Sequence, residues 1–202
     1  LTNSDIPKDR PCIVYWRHVV GEQKRIGDFI EFPELWALIT ENIVPVVRDL
    51  LGNLEYTSRN REQHLQLLET VIFDKPPGIS NTLHWHQDVA YFPVKPNNQV
   101  AVWIPFEPVT ANSGALNYAL GSHKRGIRGS TNLHTREPYK NEDRTLIPDD
   151  PGKEGLKVAC MEMNPTDMLI HDGYTWHCSG PNRKARHQRR GLSVRFMRET
   201  AV

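Results

Sequence analysis

Residues 189–196, which read RRGLSVRF, decide the fold class. Successive side chains of a β-strand point to opposite faces, so the alternation in this stretch separates two sets of residues. One face would be apolar and carry Leu192, Val194 and Phe196. The other face would be polar or open and carry Arg189, Gly191 and Ser193. The pattern predicts a barrel strand that packs against helices on one face and lines a site on the other.

Six further segments have the length and the boundaries of strands. They are residues 66–73, 84–90, 99–106, 115–120, 157–163 and 168–171. Turn signals separate them, such as KPPG at 75–78 and NSG at 112–114. With 15 prolines and 13 glycines in the chain, these short strands favour a mainly β sandwich or barrel over a helical bundle.

Residues 33–51 carry apolar side chains at helical spacing, which predicts a helix packed on a sheet. Pro33 suits the first turn of this helix, and Gly52 suits its C-terminal end. Pro45 lacks a backbone N–H, so it should kink or split the helix near Val44.

The 202 residues are expected to form a single domain. Within it, residues 1–60 would be mostly helical support, and residues 66–200 would form the β core. Residues 124–156 are polar and rich in Arg, Asp and Pro. A connection of that length inside a compact domain predicts a lid or an insert.

Composition excludes several classes of protein. Lys and Arg total 25 and Asp and Glu total 24, which argues against nucleic-acid binding by charge. No apolar run approaches the roughly 18 residues of a membrane helix, and residues 1–10 lack the apolar segment of a signal peptide. The 3 cysteines show no CxxC spacing, which argues against a disulfide framework. We therefore expect an intracellular, cytoplasmic protein without nucleic-acid or membrane partners, and the sequence carries no signal of oligomeric state.

Candidate metal ligands occur in two motifs far apart in the chain. The first is HWHQD at 84–88, where His86 and Asp88 would share one face of a strand. The second contains His177. Two histidines and one carboxylate form a facial triad, which holds one face of an octahedral Fe(II) and leaves the other positions open. Alternatively, His86 and Asp88 could simply pair with each other in a core.

A candidate carboxylate-binding residue follows on the strand at 189–196. The alternation places Arg189 on the inner face and Arg190 on the outer face. A guanidinium binds a carboxylate with two parallel hydrogen bonds, a geometry that lysine cannot offer. A dicarboxylate cosubstrate could therefore meet the metal at one end and Arg189 at the other. The other basic residues of 183–190 are interpreted as a solvated loop.

Six motifs in this order carry a resemblance to a known family. They are KPPG at 75–78, WHQD at 85–88, VWIPFEPVTANSGAL at 102–116, GSHKRG at 121–126, HCSGPN at 177–182 and RRGLS at 189–193. Over residues 67–197 the sequence resembles the phytanoyl-CoA dioxygenase family of Fe(II)/2-oxoglutarate oxygenases. Two features depart from the family pattern: Cys178 follows the distal histidine, and residues 1–32 show no clear counterpart of the N-terminal strand and helices that members have.

The resemblance implies a fold, a site and an activity. The fold would be a double-stranded β-helix, or jelly-roll, at 66–200, with helices packed on the larger sheet. The iron ligands, which are also the catalytic residues, would be His86, Asp88 and His177. The contacts to 2-oxoglutarate would come from Arg189, Ser179 and Trp103. The alternation adds Ser193, which it places on the same inner face as Arg189. The whole chain, 1–202, would be one dioxygenase domain that uses Fe(II), 2-oxoglutarate and O2 to hydroxylate an unactivated C–H bond of a small molecule, releasing succinate and CO2.

Other interpretations stay open beside this one. The same chemistry could end in desaturation or ring closure, or the chain could bind metal on this fold without turnover. A zinc hydrolase could use the same three ligands, although Arg189 would then have no role. A cupin-type site could use His84 and His86, but residues 89–92 lack the Glu that this site needs. His171 is interpreted as a strand-end residue before a turn at 172–173, and Tyr91 and Phe92 as residues that could border the substrate.

Overall fold

The fold places nine strands in two antiparallel sheets within the described part of the chain. A computed structural model describes residues 13–19, 33–52, 65–78, 82–92, 99–140 and 142–198. The strands in chain order are β1 (Ile13–Val19), β2 (Leu65–Lys75), β3 (Leu83–His86), β4 (Gln99–Pro105), β5 (Leu116–Ala119), β6 (Val158–Met161), β7 (Leu169–Asp172), β8 (His177–Ser179) and β9 (Arg189–Arg198). The larger sheet has the order β1-β2-β9-β4-β7 and the smaller sheet the order β3-β8-β5-β6.

Strand β9 lies at the centre of the larger sheet, between β2 and β4. As the alternation predicts, the side chains on the face turned away from the candidate site are buried. They are Leu192, Val194 and Phe196. They pack against a helical segment through Ile39, Ile43, Val47 and Leu51. Full burial of such a side chain contributes about 1.5–3 kcal/mol, so this packing holds the helix on the sheet.

The helical segment is divided as the sequence predicts. It consists of α1 (Pro33–Ala37), a π-helical turn (Leu38–Ile43) and α2 (Val44–Gly52). The N–H of Val44 bonds to the carbonyl of Ile39, five residues back instead of four. Pro45 has no N–H to continue the regular pattern, so the interruption falls next to it. Among the helices that the structure describes, none is long and apolar enough to cross a membrane.

A second core lies between the two sheets and is built around Trp103 of β4. Its other buried members are Val109, Ala115, Leu116, Tyr118 and Met163. Gly191 is required beside this indole, because a Cβ on Gly191 would lie 2.4 Å from Trp103 Cζ2. The mainly β jelly-roll with a helix on the larger sheet is thus confirmed.

Three strands differ from the predictions by more than the one or two residues that separate the other boundaries. Strand β1 lies in the segment expected to be mostly helical and without an N-terminal strand, although its sequence IVYWRHV is rich in the β-branched and aromatic residues typical of strands. Strand β3 ends at His86 instead of continuing to residue 90, and a 3-10 turn, Asp88–Ala90, follows. Strand β8 was not among the predicted strands, because its 3 residues are too few to show a periodicity.

The described residues of the connection, 124–140 and 142–156, return to the segment around β3. The N–H of His84 donates to the carbonyl of Leu133 at 2.9 Å. The hydroxyl of Tyr91 donates to the carbonyl of Thr131 at 2.6 Å. The connection therefore covers the segment that holds two of the candidate ligands, and its function as a lid stays a prediction.

Candidate metal centre

Neighbouring strands of the smaller sheet bring the two histidines together. His86 ends β3, His177 begins β8, and the two residues are register partners in the β3–β8 pair. Their ring centroids are 4.1 Å apart. Both side chains are buried. Residues distant in sequence thus meet through one pair of backbone hydrogen-bonded strands.

Asp88 reaches the same point from outside the strand. Gln87 keeps an extended backbone, and Asp88 opens the 3-10 turn that follows. Its Oδ1 lies 4.0 Å from His86 Nε2 and 3.9 Å from His177 Nε2. One ligand atom from each of the three residues lies within 4.8 Å of the other two. The shared orientation was predicted from a continuous strand, and that reason is wrong because the strand ends at His86.

Backbone carbonyls select the ring nitrogens that remain available. His86 Nδ1 lies 2.8 Å from the carbonyl of His84, and His177 Nδ1 lies 2.9 Å from the carbonyl of Thr175. A carbonyl only accepts, so each Nδ1 carries the hydrogen and each Nε2 keeps its lone pair. Metal-binding histidines are oriented by this kind of outer hydrogen bond.

The charge states of the three residues suit a metal. Burial lowers the pKa of His86 and holds the pKa of His177 well below its ordinary value, so both imidazoles are neutral near pH 7. Burial opposes the ionisation of Asp88, yet the pKa of its carboxyl stays well below the ordinary value because Arg195 and the neighbouring histidines favour the carboxylate.

The distances argue against a simple core pair. The separations of 3.9 and 4.0 Å between Asp88 Oδ1 and the two Nε2 atoms are too long for hydrogen bonds. Three buried atoms that can each bind a metal thus lie close together without hydrogen bonds between the carboxylate and the imidazoles. Two neutral imidazoles and one carboxylate are the donor set of a facial-triad iron site, and the geometry fits that ion.

A small cavity adjoins the two histidines. The four residues expected to contact 2-oxoglutarate all line it: Arg189, Ser179, Trp103 and Ser193. The Arg189 guanidinium carbon lies 4.8 Å from the Trp103 ring centroid. Ser179 Oγ is buried and has no hydrogen-bond partner among the residues that the structure describes. The cavity thus offers a buried cation and a hydroxyl beside the metal ligands.

The two consecutive arginines of β9 point in opposite directions, as predicted. Arg189 is 2% exposed, and its Nη2 donates to the carbonyl of Gly114 at 2.6 Å. Gly114 has φ 82°, and a Cβ there would lie 2.6 Å from the carbonyl oxygen of Gly180. Arg190 is exposed and pairs with Glu107 at 3.2 Å.

Sequence reasoning missed a second inward arginine. Arg195 Nε donates to Asp88 Oδ2 at 3.1 Å, and its Nη2 donates to Oδ1 at 3.3 Å. Its Nη1 donates to Glu69 of β2. The signal was present in the alternation, because Arg195 has the same parity as Arg189 and Ser193.

A third histidine also reaches the site. His171, near the end of β7 as expected, places Nε2 3.5 Å from Asp88 Oδ2. Its Nδ1 lies 3.0 Å from the hydroxyl of Tyr118. The turn predicted after it is present, with the N–H of Tyr174 bonded to Asp172 Oδ1 at 2.7 Å.

A larger cavity of about 290 Å³ opens on the other side of His86 and Asp88. Tyr91 and Phe92, the residues expected to border a substrate, line it. Leu133, His134 and Tyr139 of the connection 124–156 form another wall. Its size is at the lower end for pockets that take small organic molecules.

The sequence profile of the family described as phytanoyl-CoA dioxygenase (PhyH) matches residues 17–191. The chain belongs to the phytanoyl-CoA dioxygenase family. The resemblance given by the sequence motifs is therefore confirmed.

Curated members of the phytanoyl-CoA dioxygenase family and related proteins are similar over most of the chain. Peroxisomal phytanoyl-CoA dioxygenase of Bos taurus is 31% identical over 178 residues, which cover 85% of this chain and 48% of that protein. A probable alpha-ketoglutarate-dependent hypophosphite dioxygenase of Stutzerimonas stutzeri is 27% identical over 173 residues, covering 80% of this chain and 54% of that protein. The chain thus spans about half the length of these relatives.

Solved structures share the fold of this family member. The carbocyclase SnoK from nogalamycin biosynthesis superposes with a TM-score of 0.66 at 18% identity, covering 95% of this chain and 66% of SnoK. EvdO2 from Micromonospora carbonacea var. aurantiaca, complexed with 2-oxoglutarate, gives a TM-score of 0.62 at 21% identity, covering 95% of this chain and 68% of EvdO2. At these identities the likeness supports the fold alone.

Proposed function

We propose that this protein is an Fe(II)- and 2-oxoglutarate-dependent oxygenase that hydroxylates an unactivated C–H bond of a small molecule. The observation that supports this proposal most is the proximity of His86, Asp88 and His177, with one ligand atom of each within 4.8 Å of the others. Family membership supports the chemistry, because relatives include a probable alpha-ketoglutarate-dependent hypophosphite dioxygenase and a 1-deoxypentalenic acid 11-beta-hydroxylase.

The proposed ligands of the iron are His86 Nε2, His177 Nε2 and one oxygen of Asp88. Bound there, iron would supply the activation of O2, with 2-oxoglutarate oxidised to succinate and CO2 while one oxygen atom enters the substrate C–H bond. The carbonyls of His84 and Thr175 hold the imidazoles in the tautomer that presents Nε2. Burial keeps both imidazoles in their neutral form, because it lowers the pKa of His86 and of His177.

The small cavity is the proposed site of 2-oxoglutarate. The carboxylate of 2-oxoglutarate that is farther from the metal would pair with Arg189, which is buried and offers a planar set of hydrogen-bond donors. Trp103 packs against that guanidinium and limits its movement. Ser179 and Ser193 supply hydroxyls to the same cavity. A charge-assisted pair removed from water is strong and directional, so these residues would fix the orientation of the cosubstrate.

The larger cavity is the proposed site of the substrate. It is lined on one side by His86 and Asp88 and on another by Tyr91, Phe92 and the connection 124–156. Its apolar side chains, such as Phe92 and Leu133, would position a substrate by shape, and polar ones such as His134 and Tyr139 could fix its orientation. Hydroxylation is the proposed outcome. Ring closure or desaturation would also consume 2-oxoglutarate but would give a different product.

An anaerobic titration of the protein with Fe(II) and 2-oxoglutarate tests the proposal. We expect a visible charge-transfer band that requires both components, followed by succinate release when O2 is admitted. Asp88→Ala should remove the band and the succinate, because it deletes a ligand and its charge. Arg190→Gln is the matched control, because Arg190 is exposed on the outer face, and should leave both unchanged.

Three results would contradict parts of the proposal. A band of normal intensity in Asp88→Ala would remove Asp88 from the iron. A normal band in the parent protein without succinate under any assay with O2 would indicate a metal-binding protein without turnover. Failure to bind Fe(II), with tight binding of Zn²⁺ and hydrolytic activity, would support the zinc alternative.

A further inference from the structure

The guanidinium of Arg195, on the inner face of β9, is hydrogen-bonded to the candidate metal ligand Asp88. Arg195 is buried, and its Nε and Nη2 donate to the two oxygens of Asp88 at 3.1 and 3.3 Å. Planar, forked donation of this kind fixes the orientation of a carboxylate as well as its charge. Asp88 is therefore held in place by β9 in addition to its own turn.

The two oxygens of Asp88 have different surroundings. The contacts to His86 Nε2 and His177 Nε2, at 4.0 and 3.9 Å, are both made by Oδ1. The closer contact to Arg195, at 3.1 Å, is made by Oδ2, and His171 Nε2 lies 3.5 Å from that same atom. Oδ1 thus faces the two imidazoles and accepts the longer hydrogen bond from Arg195, whereas Oδ2 accepts the shorter one and lies near a third histidine.

Glu69 holds the guanidinium from the opposite side. It is a register partner of Arg195 in the β2–β9 pair, is buried, and accepts a hydrogen bond from Arg195 Nη1. The ring of Phe92 lies 5.3 Å from the guanidinium carbon. A planar cation fixed between two buried carboxylates and a ring has little freedom to turn away from Asp88.

We infer that Arg195 is a positioning residue that reserves Oδ2 of Asp88 and keeps Asp88 a ligand through Oδ1 alone. A carboxylate can bind a metal through one oxygen or through both. One oxygen leaves three of the six octahedral positions open, which is the number that a chelating 2-oxoglutarate and O2 require together. Chelation by both oxygens would fill one of those positions. The inference rests on the proposed metal site but not on turnover.

Counting the water molecules on a bound metal tests this role without the cosubstrate. Mn²⁺ is the probe, because imidazole and carboxylate sites of this type accept it and because it relaxes the protons of its exchangeable waters. The protein is saturated with Mn²⁺ without 2-oxoglutarate, and water-proton relaxation reports the number of coordinated waters. We expect about three waters in the parent protein and about two in Arg195→Gln, where the freed Oδ2 can chelate.

Arg189→Gln is the matched control on the same face of the same strand. It should keep the parental water count, because Arg189 donates to the carbonyl of Gly114 and lines the cosubstrate cavity, whereas Arg195 donates to both oxygens of Asp88. On adding 2-oxoglutarate, Arg189→Gln should need roughly 30-fold more of it than the parent, or still more, to displace water, because the cavity loses its cation. A parental count in folded, metal-saturated Arg195→Gln overturns the inference, and so does an equal loss of water in Arg189→Gln.

A second variant covers the case in which Arg195→Gln does not fold. Arg195→Lys keeps a positive charge between Glu69 and Asp88 but offers no fork. A water count below that of the parent in Arg195→Lys supports the inference, and a parental count overturns the requirement for the fork. If the parent protein bound Mn²⁺ with the expected count but never released succinate, the proposed function would fail while this inference stood.

Discussion

The two faces of β9 are held by different kinds of force. The outer face buries Leu192, Val194 and Phe196 against the helical segment, an interaction that depends on apolar area and on shape. The inner face buries Arg189 and Arg195, whose neighbours are carbonyls, carboxylates and aromatic rings. Apolar contacts tolerate a change of partner, whereas directed, charged contacts do not. A substitution on the outer face should therefore affect stability, and one on the inner face should affect binding.

The largest effect that separates the faces is expected for Arg189→Gln. Loss of a buried charge-assisted pair costs roughly 2 to 5 kcal/mol, so the concentration of 2-oxoglutarate needed for half-maximal succinate formation should rise steeply. Arg190→Gln, one residue away and exposed, should change it little. The comparison is made by steady-state assays of both variants with 2-oxoglutarate varied. Equal effects would mean that the two side chains do not differ in their access to the cosubstrate.

The outer face was predictable because its partners are chemically interchangeable. Alternation in 189–196 and helical spacing in 33–51 identify apolar faces, and any apolar face can serve as the other's partner. Pro45 likewise marks the division of the helix through its own covalent structure. Such features are local, so one sequence is enough to find them.

The inner face was predictable only in part because its partners are specific and distant. Asp88 lies 107 residues before Arg195 in the chain, and Glu69 lies 126 residues before it. Alternation places Arg195 inside, but no local pattern says which carboxylates it meets. His177 belongs to a strand of 3 residues and was found through its motif rather than through periodicity. The strand predicted through Asp88 gave the correct side for an incorrect reason, since a 3-10 turn makes the same approach.

Val194→Ala tests the outer face with a smaller expected effect. Val194 is fully buried against the helical segment, so its truncation should lower the free energy of unfolding by about 1.5–3 kcal/mol. Chemical denaturation followed by circular dichroism measures this loss. The 2-oxoglutarate requirement of the folded fraction should match that of the parent protein. A large change in that requirement would show that the faces are coupled through the sheet.

The smallest effect is expected in the pH dependence of stability. Desolvation lowers the pKa of His84 and His134 as well as of the two candidate ligands, so all four contribute in the same direction. Burial lowers the pKa of His86 and holds that of His177 well below the ordinary value of 6.5. Below about pH 6.5 the unfolded chain therefore binds protons that the folded metal-free protein does not, and stability falls as the pH falls. Each group contributes at most about 1.4 kcal/mol per pH unit. Denaturation of the metal-free protein between pH 7.5 and 5.5 should show this slope. Val194→Ala should lower the whole curve without changing its slope, whereas His86→Gln should make the slope less steep and leave the contribution of His177. A slope that stayed unchanged in His86→Gln and changed in Val194→Ala would contradict the assignment of this pH dependence to the buried histidines.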